Sequence, residues 1–166
     1  RCCPGLTNPR RQPGWKRFPH MASLVIAAHG HLAEGLVASS AMIVGSSDDV
    51  VAVTFDPSEG PDDLLAKYAA AVEASTSQEH LILVDLFGGS PYNAAARFAA
   101  GLDDADVVTG VNLPMVIEVL SRRLTGAGLV ELVEAARTSA VDGVKVLSEV
   151  FTPAPTTTSD DEGDEL

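Results

Sequence analysis

Short apolar runs alternate with longer segments of helical spacing along the middle of the chain. The first run, residues 24–28, reads Leu-Val-Ile-Ala-Ala, which is typical of a strand buried on both faces of a parallel sheet. Further runs that are rich in apolar residues follow at residues 50–55, 81–85 and 106–111. Because helical segments of about ten to fifteen residues separate these runs, the pattern predicts βαβ units and a mostly parallel sheet.

Residue types that favour helix ends mark where the helical segments begin and stop. Gly45 is a typical helix terminator, and Pro61 and Pro91 suit a first helical turn. The predicted helices cover residues 31–44, 61–74, 91–100, 112–123 and 129–140. The whole predicts an open α/β sheet with helices on both faces, of the flavodoxin-like kind. Residues 144–147 would add a short fifth strand, antiparallel or at an edge because it follows a tight turn.

The chain predicts one domain between two segments that lack a core-forming pattern. Residues 1–20 combine prolines and glycines with basic side chains, and we expect a disordered leader, non-native or mis-started, with Met21 as the natural start. Residues 151–166 combine a Pro/Thr stretch with an acidic end, which predicts a disordered tail. Residues 21–150 then form the domain.

The charge of the chain is strongly negative and unevenly distributed. The formal net charge is −12, although residues 1–20 carry basic side chains and no acid. An acidic domain argues against nucleic acid and anionic membranes as partners, and fits either a basic partner or solubility alone. The chain's two cysteines, Cys2 and Cys3, are adjacent and cannot staple a domain, which fits a reducing compartment. With no long apolar run and no secretory signal pattern, we expect a cytoplasmic protein.

His29 follows the first apolar run directly and precedes a helical segment. In open parallel α/β sheets, ligands and chemistry gather at the carboxyl ends of strands. Asp85 ends the third run in the same way, so the two side chains can meet if their strands are neighbours. A carboxylate that accepts the Nδ1 proton of a histidine leaves Nε2 free as a nucleophile and stabilises a cationic ring. Alternatively, Asp85 only caps the loop that follows it.

The stretch Gly88-Gly89-Ser90-Pro91 leads into the third predicted helix. Its glycines allow backbone N–H groups to converge in front of a helix N-terminus, which is an anion site suited to a phosphoryl group. Alternatively, it is an ordinary capped helix, with Ser90 as the N-cap and Pro91 in the first turn. The glycine spacing matches neither a dinucleotide-binding motif nor an ATP-binding loop.

Three other kinds of site are possible with these residues, and each lacks a component. A hydrolase could combine Ser90, His29 and Asp85, but Ser90 is not in a G-x-S-x-G elbow. A metal site through His29 and His31 lacks a third convergent ligand. An aspartyl-phosphate receiver at Asp85 needs acidic residues after strand one, where residues 28–30 hold none. We therefore expect no metal and no cofactor.

Four stretches together resemble the IIA domain of the mannose family of the bacterial sugar phosphotransferase system (PTS). They are IAAHGHLAEGL, FDPSEGPDDL, LVDLFGGSPYNAAARF and TGVNLPMVIEVL, in the family's order and spacing. None of them is specific alone, whereas the combination is. The resemblance extends over about residues 24–147.

The resemblance implies a phosphocarrier that accepts a phosphoryl group from phospho-HPr on His29. The group then passes to a histidine or cysteine of a IIB component, which we expect on a separate polypeptide. Membrane components IIC and IID would take part only indirectly. By position, Asp85 would orient His29, and Ser90, in a phosphoryl-binding loop with Gly88 and Gly89, would donate to the phosphoryl oxygens.

The resemblance also implies partners around this site. The expected rim for partner contact comprises Leu86, Phe87, Asn112, Leu113, Pro114 and Met115. Alternatively, the apolar members of this rim pack inward. Members of the family form homodimers in which the last strand completes the neighbouring subunit's sheet, a role that residues 144–147 could play.

Two related functions stay open from the sequence. One is the phosphoryl-donor subunit of the PTS-dependent dihydroxyacetone kinase, whose IIA-like domain also begins with a strand and a histidine. The other is a regulatory module in which phosphorylation of His29 reports on sugar flux. The stretch FGGSPYN favours the sugar-transport family over the kinase subunit.

Overall fold

The computed structural model describes residues 21–150, and four strands form one parallel sheet within them. The strands are β1 (Ser23–His29), β2 (Val50–Phe55), β3 (His80–Val84) and β4 (Ala105–Thr109). Their order across the sheet is β2-β1-β3-β4, and every neighbouring pair is parallel. The predicted α/β class is confirmed. The predicted leader and tail, residues 1–20 and 151–166, lie outside the described residues.

Six helices connect and follow these strands. They are α1 (Leu32–Val44), α2 (Pro61–Ala74), α3 (Ser90–Ala99), α4 (Leu113–Leu124), α5 (Leu129–Asp142) and the single turn α6 (Leu147–Val150). The four strands and the helices α1 to α5 begin and end within about two residues of their predicted bounds, which is the ordinary uncertainty of an element's end. Local sequence signals therefore located nearly every element.

The strand order creates a switch point between β1 and β3. After β1 the chain adds β2 on one side, and then crosses to the other side to add β3 and β4. Ligands in open α/β sheets bind in the crevice outside the carboxyl ends of the strands at such a point. His29 ends β1, and Asp85 follows the last residue of β3. The topology thus places both side chains at the same crevice.

The sheet is buried on both faces, which explains why β1 is apolar throughout. Leu24 and Ile26 belong to the core cluster shared with α1, α4 and α5, whereas Val25 and Ala27 face the cluster shared with α2 and α3. Successive side chains of a strand point to opposite faces, so both sets must be apolar when helices cover both sides. None of these four side chains reaches solvent appreciably.

The predicted fifth strand is not confirmed. Residues 144–146 have no regular secondary structure, and α6 follows them. The amides of Glu149 and Val150 both donate to the carbonyl of Val146, at 3.0 and 3.3 Å. A strand needs the backbone of a neighbouring strand, whereas this segment satisfies its hydrogen bonds locally in a helical turn. Its exchange within a dimer stays a prediction.

At the opposite end of the sheet from His29, Arg123 of α4 is buried among backbone carbonyls. Its Nε donates to the carbonyl of Ala22, and its terminal nitrogens donate to Ser47 Oγ at 2.8 Å and to the carbonyl of Asp48 at 2.7 Å. The guanidinium therefore ties α4 to the start of β1 and to the loop before β2.

None of the helices in residues 21–150 is both long enough and apolar enough to span a bilayer.

Candidate functional site

His29 is the last residue of β1, and its side chain is 46% exposed at the carboxyl edge of the sheet. Its ring nitrogen Nδ1 lies 2.8 Å from Oδ2 of Asp85, and its backbone amide donates to the same oxygen at 2.9 Å. A carboxylate can only accept in this contact, so Nδ1 carries the proton and Nε2 is the free nitrogen. The sequence predicted that His29 and Asp85 can meet if their strands are neighbours. In the structure β1 and β3 are neighbours, and the two side chains are in contact.

Asp85 continues the pairing of β1 and β3 by one residue, since its amide donates to the carbonyl of Ala27 at 3.3 Å. Its side chain is 14% exposed. Burial raises the pKa of Asp85, but the hydrogen bonds from the amide and ring of His29 outweigh it and hold that pKa below its ordinary value. Asp85 is therefore an anion at neutral pH. Its Oδ1 is buried and makes no hydrogen bond to the described residues.

Phe55, which the sequence did not single out, restrains the other side of the His29 ring. It is the partner of His29 in the β1–β2 register, and the two ring centroids lie 5.6 Å apart in an edge-to-face arrangement. The carbonyl of Phe55 also accepts from the amide of Gly30 at 2.9 Å. The available signal was its place at the end of β2, but its contact depends on a register that the sequence does not specify.

The glycine-rich loop lies directly against His29. Gly88 has φ +77°, a left-handed conformation that favours glycine. A Cβ on Gly89 would stand 3.0 Å from Cε1 and 3.7 Å from Nε2 of His29. A side chain at this position would force the His29 ring to shift by a few tenths of an ångström, so glycine lets the backbone lie this close to the nucleophilic edge of the ring. The glycine-rich loop and the His29 ring are therefore direct neighbours.

Ser90 does not cap α3, so the alternative of a helix capped by Ser90 is wrong. The helix begins at Ser90, the N-cap is Gly89 in an extended conformation, and no side chain caps the helix. Because the glycine takes the N-cap conformation, Ser90 moves into the first turn. Its hydroxyl makes no hydrogen bond to the residues that the structure describes, so a ligand can use it.

Asn93, which the sequence did not single out, fixes the loop from the next turn of α3. Its Nδ2 donates to the carbonyl of Gly88 at 2.9 Å. This bond stabilises the left-handed turn at Gly88 and with it the approach of Gly89 to His29. The signal was present in the spacing, because a residue five positions after the first glycine can reach back over a helix's first turn.

Comparison with known proteins identifies the family that this site belongs to. The EIIA-man family model, which describes the PTS system fructose IIA component, matches residues 23–137. The chain belongs to the EIIA-man family. The match contains the His29–Asp85 pair, the glycine-rich loop and Asn93 within one domain, so it covers the whole candidate site.

Several relatives share this EIIA-man domain over most of the chain. The fructose-specific EIIA component of Bacillus subtilis is 39% identical over 148 residues, which are 88% of this chain and 100% of that protein. The mannose-specific EIIAB component of Escherichia coli K12 is 37% identical over 138 residues, 80% of this chain and 43% of that protein. The mannose/sorbose-specific IIA subunit of Enterococcus faecalis has a TM-score of 0.70 and 31% identity, and the match covers 81% of this chain and 98% of that one.

Two apolar side chains of this EIIA-man domain that belong to the predicted rim are exposed next to Asp85. Leu86 and Phe87 directly follow Asp85, and both are exposed, Phe87 by 72%. The Phe87 ring rests on Tyr92 with ring centroids 4.8 Å apart. Leu32, at the start of α1, is a further exposed apolar side chain in the turn after His29.

The part of the predicted rim after β4 is organised differently. Met115 is 1% exposed and belongs to the core, so its predicted surface contact is wrong, because the first turn of α4 directs it towards the sheet. Leu113 packs partly against the same core, whereas Pro114 is exposed beside α5. Asn112 caps α4 by accepting from the Met115 amide at 3.0 Å, and donates to the carbonyl of Ala140 at 3.0 Å. These two bonds fix the loop that follows β4.

The alternative sites considered from the sequence find no support here. His31 is exposed and pairs with Glu34 of its own helix at 2.9 Å, rather than joining His29. Across residues 21–150, no three His, Cys, Asp or Glu side chains converge on a common point where an ion could sit. The hydrogen bond between Ser90 and His29 that a Ser-His-Asp triad requires does not occur among the described residues. The arrangement suits a histidine nucleophile beside an anion-binding helix N-terminus.

Proposed function

We propose that this PTS IIA component carries a phosphoryl group on Nε2 of His29. The group comes from phospho-HPr and passes to a histidine or cysteine of a separate IIB component. The observation that carries the proposal is the double hydrogen bond from His29 to Asp85 Oδ2, at 2.9 and 2.8 Å, on a ring that is still half exposed. This geometry leaves one nitrogen deprotonated, oriented and accessible.

The transfer itself exchanges one nitrogen–phosphorus bond for another. The lone pair of Nε2 attacks phosphorus, the bond to the donor's imidazole breaks, and the donor nitrogen keeps the bonding electron pair. The His29 ring becomes cationic because Nδ1 keeps its proton. Asp85 faces that proton with a full negative charge, which stabilises the phosphorylated ring. The same steps in reverse, with a different acceptor nucleophile, unload the protein.

The loop supplies positioning and charge stabilisation, which are the main demands of phosphoryl transfer. Gly89 brings the first turn of α3 next to Nε2, so the positive end of a ten-residue helix faces the incoming phosphoryl oxygens. The hydroxyl of Ser90 adds a donor that no described residue occupies. Together they favour the trigonal, negatively charged group as it passes between two nitrogens.

A protein partner has to cover this site during transfer, because the ring is at the surface. Leu86 and Phe87 offer an apolar patch beside Asp85 that a partner can bury. We propose that phospho-HPr and the IIB component use this patch in turn, that IIC and IID act only through IIB, and that the protein works in the cytoplasm as a homodimer. No observation on the described residues favours the dihydroxyacetone kinase subunit or the regulatory module.

The experiment is a reconstituted phosphoryl relay. Purified protein is incubated with phosphoenolpyruvate, enzyme I and HPr, and intact mass spectrometry follows the mass of each component. We expect one added phosphoryl group, and its loss when a purified mannose-type IIB domain is added. Charged HPr beside an unmodified protein would contradict the donor, and a phosphorylated protein that never discharges to IIB would contradict the acceptor.

A further inference from the structure

Tyr68 of α2 lies in the core between the sheet and α3, and its hydroxyl contacts the first turn of α3 next to the candidate site. Its hydroxyl is fully buried and donates to the carbonyl of Pro91 at 2.9 Å. Pro91 is the second residue of α3 and directly follows the loop formed by Gly88, Gly89 and Ser90. We propose that Tyr68 is a positioning residue that holds this loop against His29. The inference rests on the function proposed above, but the NMR part of its test uses the unphosphorylated protein and does not depend on that function.

The hydrogen bond acts on the loop because little slack lies between them. The ring of Pro91 fixes its own φ, which removes one of the two backbone torsions that could absorb a movement of its carbonyl before it reaches Ser90. Gly89 is already so close to His29 that a Cβ there would meet Cε1 at 3.0 Å. At the other end, Asn93 holds the Gly88 carbonyl at 2.9 Å. The loop is thus held at both ends, by Asn93 within α3 and by Tyr68 from α2.

The Pro91 carbonyl does not need Tyr68 in order to be satisfied. A carbonyl in the first turn of an α-helix accepts from the amide four residues further on. The tyrosine hydroxyl is therefore an additional donor, whose direction is set by α2 and the core. Because the carbonyl already has its helical donor, this additional bond serves to fix the position of the first turn of α3.

Tyr68 remains a donor under all ordinary conditions. Burial raises the pKa of its hydroxyl far above the usual value, and the negative charge of Asp85 raises it further. The hydroxyl therefore keeps its proton for the hydrogen bond to the Pro91 carbonyl.

The ring of Tyr68 has a separate role in packing, and this makes the hydroxyl testable alone. The ring belongs to the core cluster on the α2–α3 side of the sheet and contacts Phe98, with ring centroids 6.0 Å apart. Tyr68→Phe keeps this packing and removes the oxygen only. Phe98→Leu is the matched control, because it weakens the same packing and leaves the hydroxyl in place.

The test measures loop position and phosphoryl transfer in both variants. In the unphosphorylated protein, Tyr68→Phe should shift the NMR resonances of the Gly88, Gly89 and Ser90 amides and of the His29 ring nitrogens. With phospho-HPr, it should lower the transfer rate at saturating donor about threefold to tenfold, leave the KM for phospho-HPr unchanged, and move the phosphorus resonance of the phosphorylated ring. Phe98→Leu should lower the melting temperature but leave these resonances and this rate as in wild type.

Each outcome decides one of the two claims. If Tyr68→Phe lowers only the melting temperature, with loop resonances and rate unchanged, the hydroxyl is structural and the inference is wrong. If wild type is not phosphorylated by charged HPr, the proposed function is wrong. The amide and ring resonances of the unphosphorylated variants still decide in that case whether Tyr68 positions the loop.

Discussion

One carboxylate oxygen, Oδ2 of Asp85, accepts hydrogen bonds from both the backbone amide and the Nδ1 of His29, at 2.9 and 2.8 Å. The amide bond fixes the carboxylate relative to β1, and the ring bond fixes the imidazole relative to the carboxylate. The orientation of the ring therefore follows from the pairing of β1 with β3, and needs no movement of a flexible loop. A site built on adjacent strands in this way is preorganised.

Asp85→Asn should slow the phosphorylation of His29 about tenfold to a hundredfold. The amide keeps the size of the side chain, but it removes the negative charge that stabilises the cationic phosphorylated ring. It can also present an N–H to Nδ1, which disfavours the reactive tautomer. The initial rate of mass gain in the presence of phospho-HPr measures the effect. A variant that is phosphorylated at the wild-type rate would show that Asp85 is not the orienting group.

Gly89→Ala should slow phosphorylation about tenfold because its methyl group would press on the His29 ring. The backbone of Gly89, with φ −70°, is accessible to alanine, so crowding and not strain is the cause. Gly35→Ala in α1 is the control, since a Cβ there meets nothing within 4 Å. It should stabilise the protein by about 1 kcal/mol and leave the rate unchanged. Equal rates for the two variants would contradict the close approach of the loop.

Arg123→Met should lower the free energy of unfolding by about 3–5 kcal/mol, measured by urea denaturation. It leaves the buried carbonyl of Ala22 and the part-buried oxygens of Ser47 and Asp48 without their donor. Arg137→Met is the control, because Arg137 pairs with Glu134 at an exposed position and should cost less than about 1 kcal/mol. A similar small loss for both variants would mean that the buried guanidinium does not hold this end of the sheet.

Acid should destabilise the fold through His80, whose Nδ1 lies 2.6 Å from Ser23 Oγ in a buried position. Burial lowers the pKa of His80, and Asp104 and Asp49 offset this only in part. The unfolded chain therefore takes up a proton below about pH 6.5 that the folded protein does not, so the free energy of unfolding falls as the pH drops. His80→Gln should flatten this dependence between pH 7.5 and 5.5 in urea titrations. Parallel curves for wild type and variant would refute this source of pH dependence.

The sequence was sufficient for those features that depend on local pattern. Apolar runs and helix boundaries placed the elements, and the rule for strand ends placed His29 and Asp85 at one edge. The loop before Pro91 was recognisable because its glycines have a mechanical meaning next to a helix N-terminus. These inferences needed the type of each residue, but no knowledge of its distant neighbours.

The missed features depend on contacts between distant parts of the chain. Phe55 meets His29 only through the register of β1 and β2. Tyr68 has the helical spacing of a core residue, and nothing local shows that its hydroxyl finds the Pro91 carbonyl. Met115 was placed at the surface although the rotation of α4 buries it. The fifth strand was predicted from residues 144–147, three of which are apolar, but a strand also needs a neighbour to pair with.

Site-resolved mass spectrometry shows whether His29 is the phosphoryl acceptor. Wild type and His29→Gln are incubated with phosphoenolpyruvate, enzyme I and HPr, and then digested at neutral to alkaline pH because phosphohistidine is acid-labile. We expect a single phosphoryl group on the peptide that contains His29, and none on the variant. A phosphoryl group that persists in His29→Gln, or a wild-type protein that stays unmodified beside charged HPr, would contradict it.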